Sequence, residues 1–321
     1  MRSMTETASH PVATSAGLPS SVWLALIAGV LSGSMAGILT RYAQSAGAAS
    51  LPIAFTRLFL ASLVVGIPTL IRYRAELRRI SRRDLLTTMF AGMWMATHFF
   101  LWVSSLEHVG VMIATVLVTS SPLWTALLEV TFLKARLTRV LMFGLTAVII
   151  GNVFIGLAGG EGVSGSEPLL GAALAISAAL AIATQRVLSR GVRTRVHLLP
   201  FLSIMYASAA GTLFIAAVIT GTPLTGYSPE AGFWIVMITI FPQLIGHSSF
   251  NYALRYVPAT MISLAIQVEP VIATLAALIL FGEIPLPLQV IGSAFIVAGI
   301  IVVTRKNAPR PKEEPIIPPE S

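Results

Sequence analysis

The chain has 321 residues, of which 55% are hydrophobic and only 11% charged, with a net charge of +8 and no cysteine. That much apolar surface excludes an ordinary soluble domain, and the missing thiols exclude disulfides and thiolate metal sites. A bilayer accepts such a chain only where its spans satisfy their own backbone groups, so the expected fold class is an all-α integral membrane protein without strands.

Residues 1–21 are small and polar, lack the apolar core of a cleaved secretory signal, and read as a disordered leader. Ten apolar runs follow, each long enough for a hydrocarbon core of about 30 Å. They are Val22–Tyr42, Pro52–Ile71, Leu85–Ser105, Val111–Leu133 and Leu137–Leu157, then Pro168–Leu188, His197–Thr220, Ala231–Leu254, Pro258–Leu280 and Pro285–Thr304. A connection over 158–167 separates the two sets of five, and a proline-rich tail over 305–321 reads as disordered.

Run one carries Gly29, Gly33 and Gly37 at every fourth position, a small-residue face suited to close helix contact within the bundle. Arg57 is the sixth residue of run two, about 7 to 8 Å inside its outer end at 1.5 Å per residue. It would either bridge helix ends, pair with Glu269, or fork onto a substrate carboxylate. Run three brings His98 and the aromatics Trp94, Phe99, Phe100 and Trp102, of which Trp102 is the cavity candidate. Pro122 in run four is, like Pro270, a helix-packing candidate, and Glu129 near the end of that run is expected to reach the interface beside Lys134, with no role in transport.

In run eight Gln243, His247 and Asn251 share one helix face and are expected to line a cavity as a polar stripe. His98 and His247 lie near opposite ends of their runs, and as isolated histidines each is a proton gate or a satisfied polar contact, not a metal site. Run nine places Glu269 close to its midpoint and next to Pro270, where helix backbone loosens. An ionisable group at that depth costs about 2.5 to 3.5 kcal/mol, so it faces a cavity or a partner. Glu269 would bind a substrate amine or load a coupling proton, or else would hydrogen-bond the backbone that Pro270 frees.

Of the 21 basic residues, 19 fall in every second loop, at the N-terminus or in the tail, leaving only Arg41 and Arg57 elsewhere. The basic side faces the cytoplasm, which puts both termini there. This placement accounts for the positive charge without nucleic acid. Gly160–Gly165 matches a dinucleotide fingerprint by letters alone, in a short loop with no strand before it.

Sliding the chain by 148 positions aligns Leu51-Pro52 with Leu199-Pro200, Pro122 with Pro270, Gly144 with Gly292 and Gly151 with Gly299. The shift implies a duplication into 22–157 and 168–304. Five spans is an odd number, so the second copy would be inverted, the architecture common among secondary transporters.

Gln267-Val-Glu-Pro270 and Leu280-Phe-Gly-Glu283, supported by Arg57 and Leu106–Val109, resemble the signatures of ten-span EamA-type members of the drug/metabolite transporter superfamily. The turn Lys134-Ala135-Arg136 departs from the Gly-Glu pair common in that family. The resemblance implies export or import of small metabolites such as amino acids or related compounds, with export the expectation. The inverted repeats imply alternating access, Glu269 a possible coupling proton, and the missing cysteine, short loops and lack of organelle signals a bacterial inner membrane; no cofactor is expected. The other classes considered are a lipid-modifying enzyme, for which no His, Asp, Glu or Ser cluster is seen near one interface, and a sensor or scaffold, for which no loop is long enough.

Overall fold

The structure, a computed structural model, describes residues 18–109, 111–134, 138–158, 167–272, 275, 279 and 284–307. Among these residues every regular element is a helix. In chain order they are α1 (Ser20–Gly33), α2 (Ala36–Ser45), α3 (Ser50–Arg72), α4 (Arg74–Arg79), α5 (Arg82–His108), α6 (Val111–Val118), α7 (Ser121–Leu133) and α8 (Arg139–Ala158). Then come α9 (Pro168–Arg193), α10 (Leu198–Thr220), α11 (Pro229–Ile238), a π-helical stretch over Thr239–His247, α12 (Ser248–Ala253), α13 (Ala259–Ile266) and α14 (Pro287–Asn307). Eight helical segments among the described residues are long and apolar enough to cross a membrane, and two shorter apolar helices, Ala259–Ile272 and Pro287–Val303, occupy runs nine and ten. Large apolar side chains such as Val64, Phe132 and Ile219 point outward and stay exposed, as a lipid-facing surface requires.

Local sequence sets the punctuation. Ser81 caps α5 by accepting from the Asp84 amide at 3.1 Å, and Ser228 caps α11 the same way from Ala231. Lys134 ends α7 with φ of 52°, a left-handed conformation that favours glycine. The rest of that turn, Ala135 and Arg136, lies outside the described residues, as do the Phe281-Gly-Glu283 motif and Gly160–Gly165.

Several spans are broken. The first turns at Ser34 and Met35 between α1 and α2, the fourth at Thr119 and Ser120, where Pro122 restarts α7, and the ninth at Gln267 and Val268, where helix resumes with Glu269 and Pro270. In the eighth, Pro242 has no N–H to give, and the surrounding hydrogen bonds widen to the π pattern. The two proline-restarted breaks meet: Gln267 Nε2 donates to the Thr119 carbonyl at 2.7 Å, joining residues 148 apart.

Helices α8 and α14 pack backbone to backbone. A side chain on Gly151 would meet the Gly292 carbonyl and Ile296, and one on Gly144 would meet Gly299 and Val303. Shifted by 148, those contacts become Gly299 against Gly144 and Val148, and Gly292 against Gly151 and Ile155, and both sets are present. The contact pattern maps onto itself when the halves are exchanged.

Glu129 departs from its expected place. It is buried and accepts from the Ala259 amide at 3.0 Å, the Thr260 amide at 3.4 Å and the Thr260 hydroxyl, so it caps α13 instead of reaching toward Lys134. The orphan amides of a helix start attract a carboxylate more strongly than a surface lysine does. On the same arginine-rich end of the bundle, Asp84 holds Arg195, whose guanidinium is pushed above its ordinary value by that carboxylate. Arg193 donates to the Asn251 carbonyl at 2.9 Å and to that of Val196. These contacts tie α7 to α13, and the end of α9 to α5 and α12.

Gly292→Ala should lower thermal stability in detergent by about 1 to 3 kcal/mol, because the added methyl overlaps a backbone. Gly211→Ala, with nothing within 4 Å of the new methyl, should be neutral or stabilising. Equal melting temperatures for the two variants would refute the close packing of α8 on α14.

Candidate functional site

The breaks in α1/α2, α6/α7 and the ninth span surround a cavity of about 170 Å³ in the middle of the bundle. Its walls come from both halves of the chain: Arg57, His98, Phe99 and Trp102 from α3 and α5, and Arg186, His247, Gln267 and Glu269 from α9 and the eighth and ninth spans.

Arg57 does not snorkel. It is fully buried, and among the described residues none of its three guanidinium nitrogens has a hydrogen-bond partner. Its charge rests instead on the face of Phe99, with Cζ 3.9 Å from the ring centroid. The expected pairing with Glu269 or with helix ends is absent; α3 begins at Ser50, two residues before the apolar run, which sets Arg57 deeper than the run's edge suggests.

Glu269 lies against α1. Gly33 leaves the room for it, since a Cβ there would overlap the carboxylate, and Gly29 does the same for Phe250. The small-residue face of the first span therefore packs within the bundle, and Gly37 opens onto the cavity. The cation facing Glu269 is Arg186, which feels its charge through space. Arg186 Nη1 donates to Ser121 Oγ and Ser263 Oγ, each at 3.1 Å. Loop charge counting groups Arg186 with Arg190 and Arg193, yet α9 runs on to Arg193 and carries Arg186 inside the bundle. The overlooked signal is its place inside run six.

The two histidines are not at opposite ends. Their ring centroids are 6.5 Å apart, and Phe99 packs against both, at 4.9 Å from His98 and 5.0 Å from His247. His98 Nδ1 lies 2.9 Å from the Ala178 carbonyl, which makes that nitrogen the donor and leaves Nε2 as the acceptor in the neutral ring. The polar stripe of run eight divides. His247 lines the cavity, whereas Gln243 is buried against Met95 Sδ at 4.0 Å and Asn251 bonds Gln185 and the His247 carbonyl. The π stretch covers Gln243 and His247 while Asn251 lies beyond it in α12, so a single 3.6-residue period does not run through all three. Trp102 lines the cavity with an indole N–H that has no partner among the described residues; Trp94 does not line it, and Phe100 is half exposed on the outside. Pro122 and Pro270 are both buried, and Pro270 borders the cavity.

A family model described as the EamA-like transporter family matches the chain twice, over residues 20–157 and 169–305. A probable terminal-alkyne amino-acid exporter of Streptantibioticus cattleyicolor is 26% identical over 211 residues, 64% of this chain and 68% of the relative. A transporter of Bacillus subtilis, YxxF, is 24% identical over 278 residues, covering 86% of this chain and 88% of its own. A solved crystal structure superposes with a TM-score of 0.71 at 21% identity, over 89% of this chain and 97% of the other, a likeness of fold.

Arg186→Met should destabilise the protein by leaving the Glu269 carboxylate without its facing cation, and adding Glu269→Gln should recover part of the loss. The coupling expected for such neighbours is about 0.5 to 3 kcal/mol in a thermal-denaturation double-mutant cycle. Strict additivity would show that the two groups do not sense each other.

Proposed function

The chain belongs to the EamA-like transporter family of the drug/metabolite transporter superfamily, and we propose that it is a secondary carrier exporting small organic metabolites, amino acids or their relatives among them. The observation that supports this best is the central cavity, which both halves line and whose walls carry the buried Arg57 and Arg186 and the half-buried Glu269. Charged groups at that depth are costly unless a ligand, an ion or a partner meets them. The name of the Streptantibioticus relative favours amino acids as the solute class.

In this reading ten spans form two inverted repeats over 22–157 and 168–304. The recurrence of contacts under the 148-residue shift supports it, since inverted copies can exchange shapes and so open the cavity to either side in turn. The arginine-rich loops support cytoplasmic termini, and the transporter reading goes with an inner-membrane location. The contacts of Glu129, Asp84 and Arg193 gathered at the arginine-rich end support a state closed toward the cytoplasm. Glu269 is the group placed to exchange a proton with a substrate amine.

The test is flux in proteoliposomes of purified protein across an amino-acid panel, with an imposed pH gradient. Saturable, gradient-responsive counterflow of at least one amino acid is expected, and Glu269→Gln should cut gradient-driven flux by about tenfold or more while sparing exchange. Full gradient-driven flux in Glu269→Gln would refute the proton role, and no flux for any solute would refute transport.

A further inference from the structure

Side chains that border the cavity carry buried polar atoms with no partner among the described residues, and these atoms are segregated by kind. On the wall made by the first half, the unmatched atoms are donors: the three guanidinium nitrogens of Arg57 and Nε1 of Trp102. On the wall made by the ninth span, the unmatched atom is an acceptor, Gln267 Oε1. Its identity as oxygen is fixed by the other end of the amide, because Nε2 donates to the Thr119 carbonyl at 2.7 Å and an oxygen there would face another oxygen. The Glu269 carboxylate stands two residues further along the same break. A buried donor or acceptor without a partner costs about 1 to 3 kcal/mol, and more if charged, so four unmatched donors opposite an acceptor and an acid describe the complement of a ligand.

Resting on the transport reading above, we propose that this cavity holds its solute in one orientation, the carboxylate of an α-amino acid on Arg57 and Trp102 and its amino group on Gln267 and Glu269. Arg57 supplies a planar fork that matches a carboxylate, and Phe99 beneath it keeps the guanidinium plane in place while contributing no acceptor. Arg186 senses the charge of Glu269 and donates to Ser121 and Ser263, whereas Arg57 has no hydrogen-bond partner among the described residues. Gln267 is the specificity residue on the other side. It borders the cavity at the break and aligns with Thr119 across the repeat; its nitrogen ties the two broken spans together, and its buried carbonyl oxygen has no partner among the described residues. Substrate amine and helix break therefore share one side chain, and a solute without an amino group leaves Oε1 unmatched.

The experiment measures binding to purified full-length protein by ligand-induced shift in melting temperature. It uses three matched probes for whichever amino acid gives the strongest counterflow: the amino acid, its des-amino acid and its decarboxylated amine. For leucine these are leucine, 4-methylpentanoate and 3-methylbutylamine. Arg57→Gln should weaken the two carboxylate-bearing probes by about tenfold or more and leave the amine unchanged, with Arg57→Lys in between. Gln267→Leu should weaken the two amino-bearing probes and spare 4-methylpentanoate. Uniform weakening of all three probes by either variant means that the residue is structural and overturns the assignment. Transport of solutes that lack a carboxylate, at rates equal to the amino acid, keeps the transporter and overturns this site. Equal protection by chloride or inorganic phosphate reduces Arg57 to a general anion sink and likewise overturns it. Failure of all three probes and of all counterflow refutes the transport reading itself.

Discussion

Lipid offers no hydrogen bond and no counter-ion, so each backbone break and each charge inside this bundle must be met by protein or by something the protein binds. The broken spans meet this constraint jointly. Thr119 and Gln267, on breaks restarted by Pro122 and Pro270, bond to each other, and the hydroxyls of Ser121 and Ser263 answer Arg186. Arg57 is the place where the protein does not close the account among the described residues, and the cavity forms around it.

The scaffold repeats itself while the chemistry does not. Gly144, Gly151, Gly292 and Gly299 make mutually related contacts that hold α8 on α14. The charged positions have no such counterparts: the 148-residue shift places Met205 opposite Arg57, Ser121 opposite Glu269 and Ile38 opposite Arg186. A repeated frame lets two halves adopt related shapes, and one-off charges give the space between them a direction. The arginine-rich end shows the same division. Glu129 caps α13 there, whereas the residue 148 further on is Ala277, which has no carboxylate to offer.

The helical class was legible because apolar runs of bilayer length leave few alternatives, and eight of the expected ten appear as helices of full crossing length. Glycines and prolines were informative because their roles are backbone roles, readable without knowing neighbours. Side-chain company was not. Arg186 hides among the basic residues that end α9, and only the helix's continuation to Arg193 shows that it is inside. His98 and His247 look far apart from span ends, but α5 extends to His108, three residues beyond its apolar run, which draws His98 toward the middle. The stripe of Gln243, His247 and Asn251 assumes 3.6 residues per turn, and Pro242 changes that number locally. Glu129 illustrates the same limit from the other side: an acid near a span end reads as interfacial until the helix start it caps comes into view.

The central claim is that one cavity, lined by both halves, is reached from the two sides of the membrane in turn. The chain contains no cysteine, so Ser34→Cys, at the α1/α2 break on the cavity wall, introduces the sole thiol. Its modification by a membrane-impermeant maleimide, applied from either side of oriented vesicles with and without a transported amino acid, tests the claim directly. Reaction from both sides, with substrate shifting the balance between them, is predicted. Reaction from one side only under every condition would contradict it.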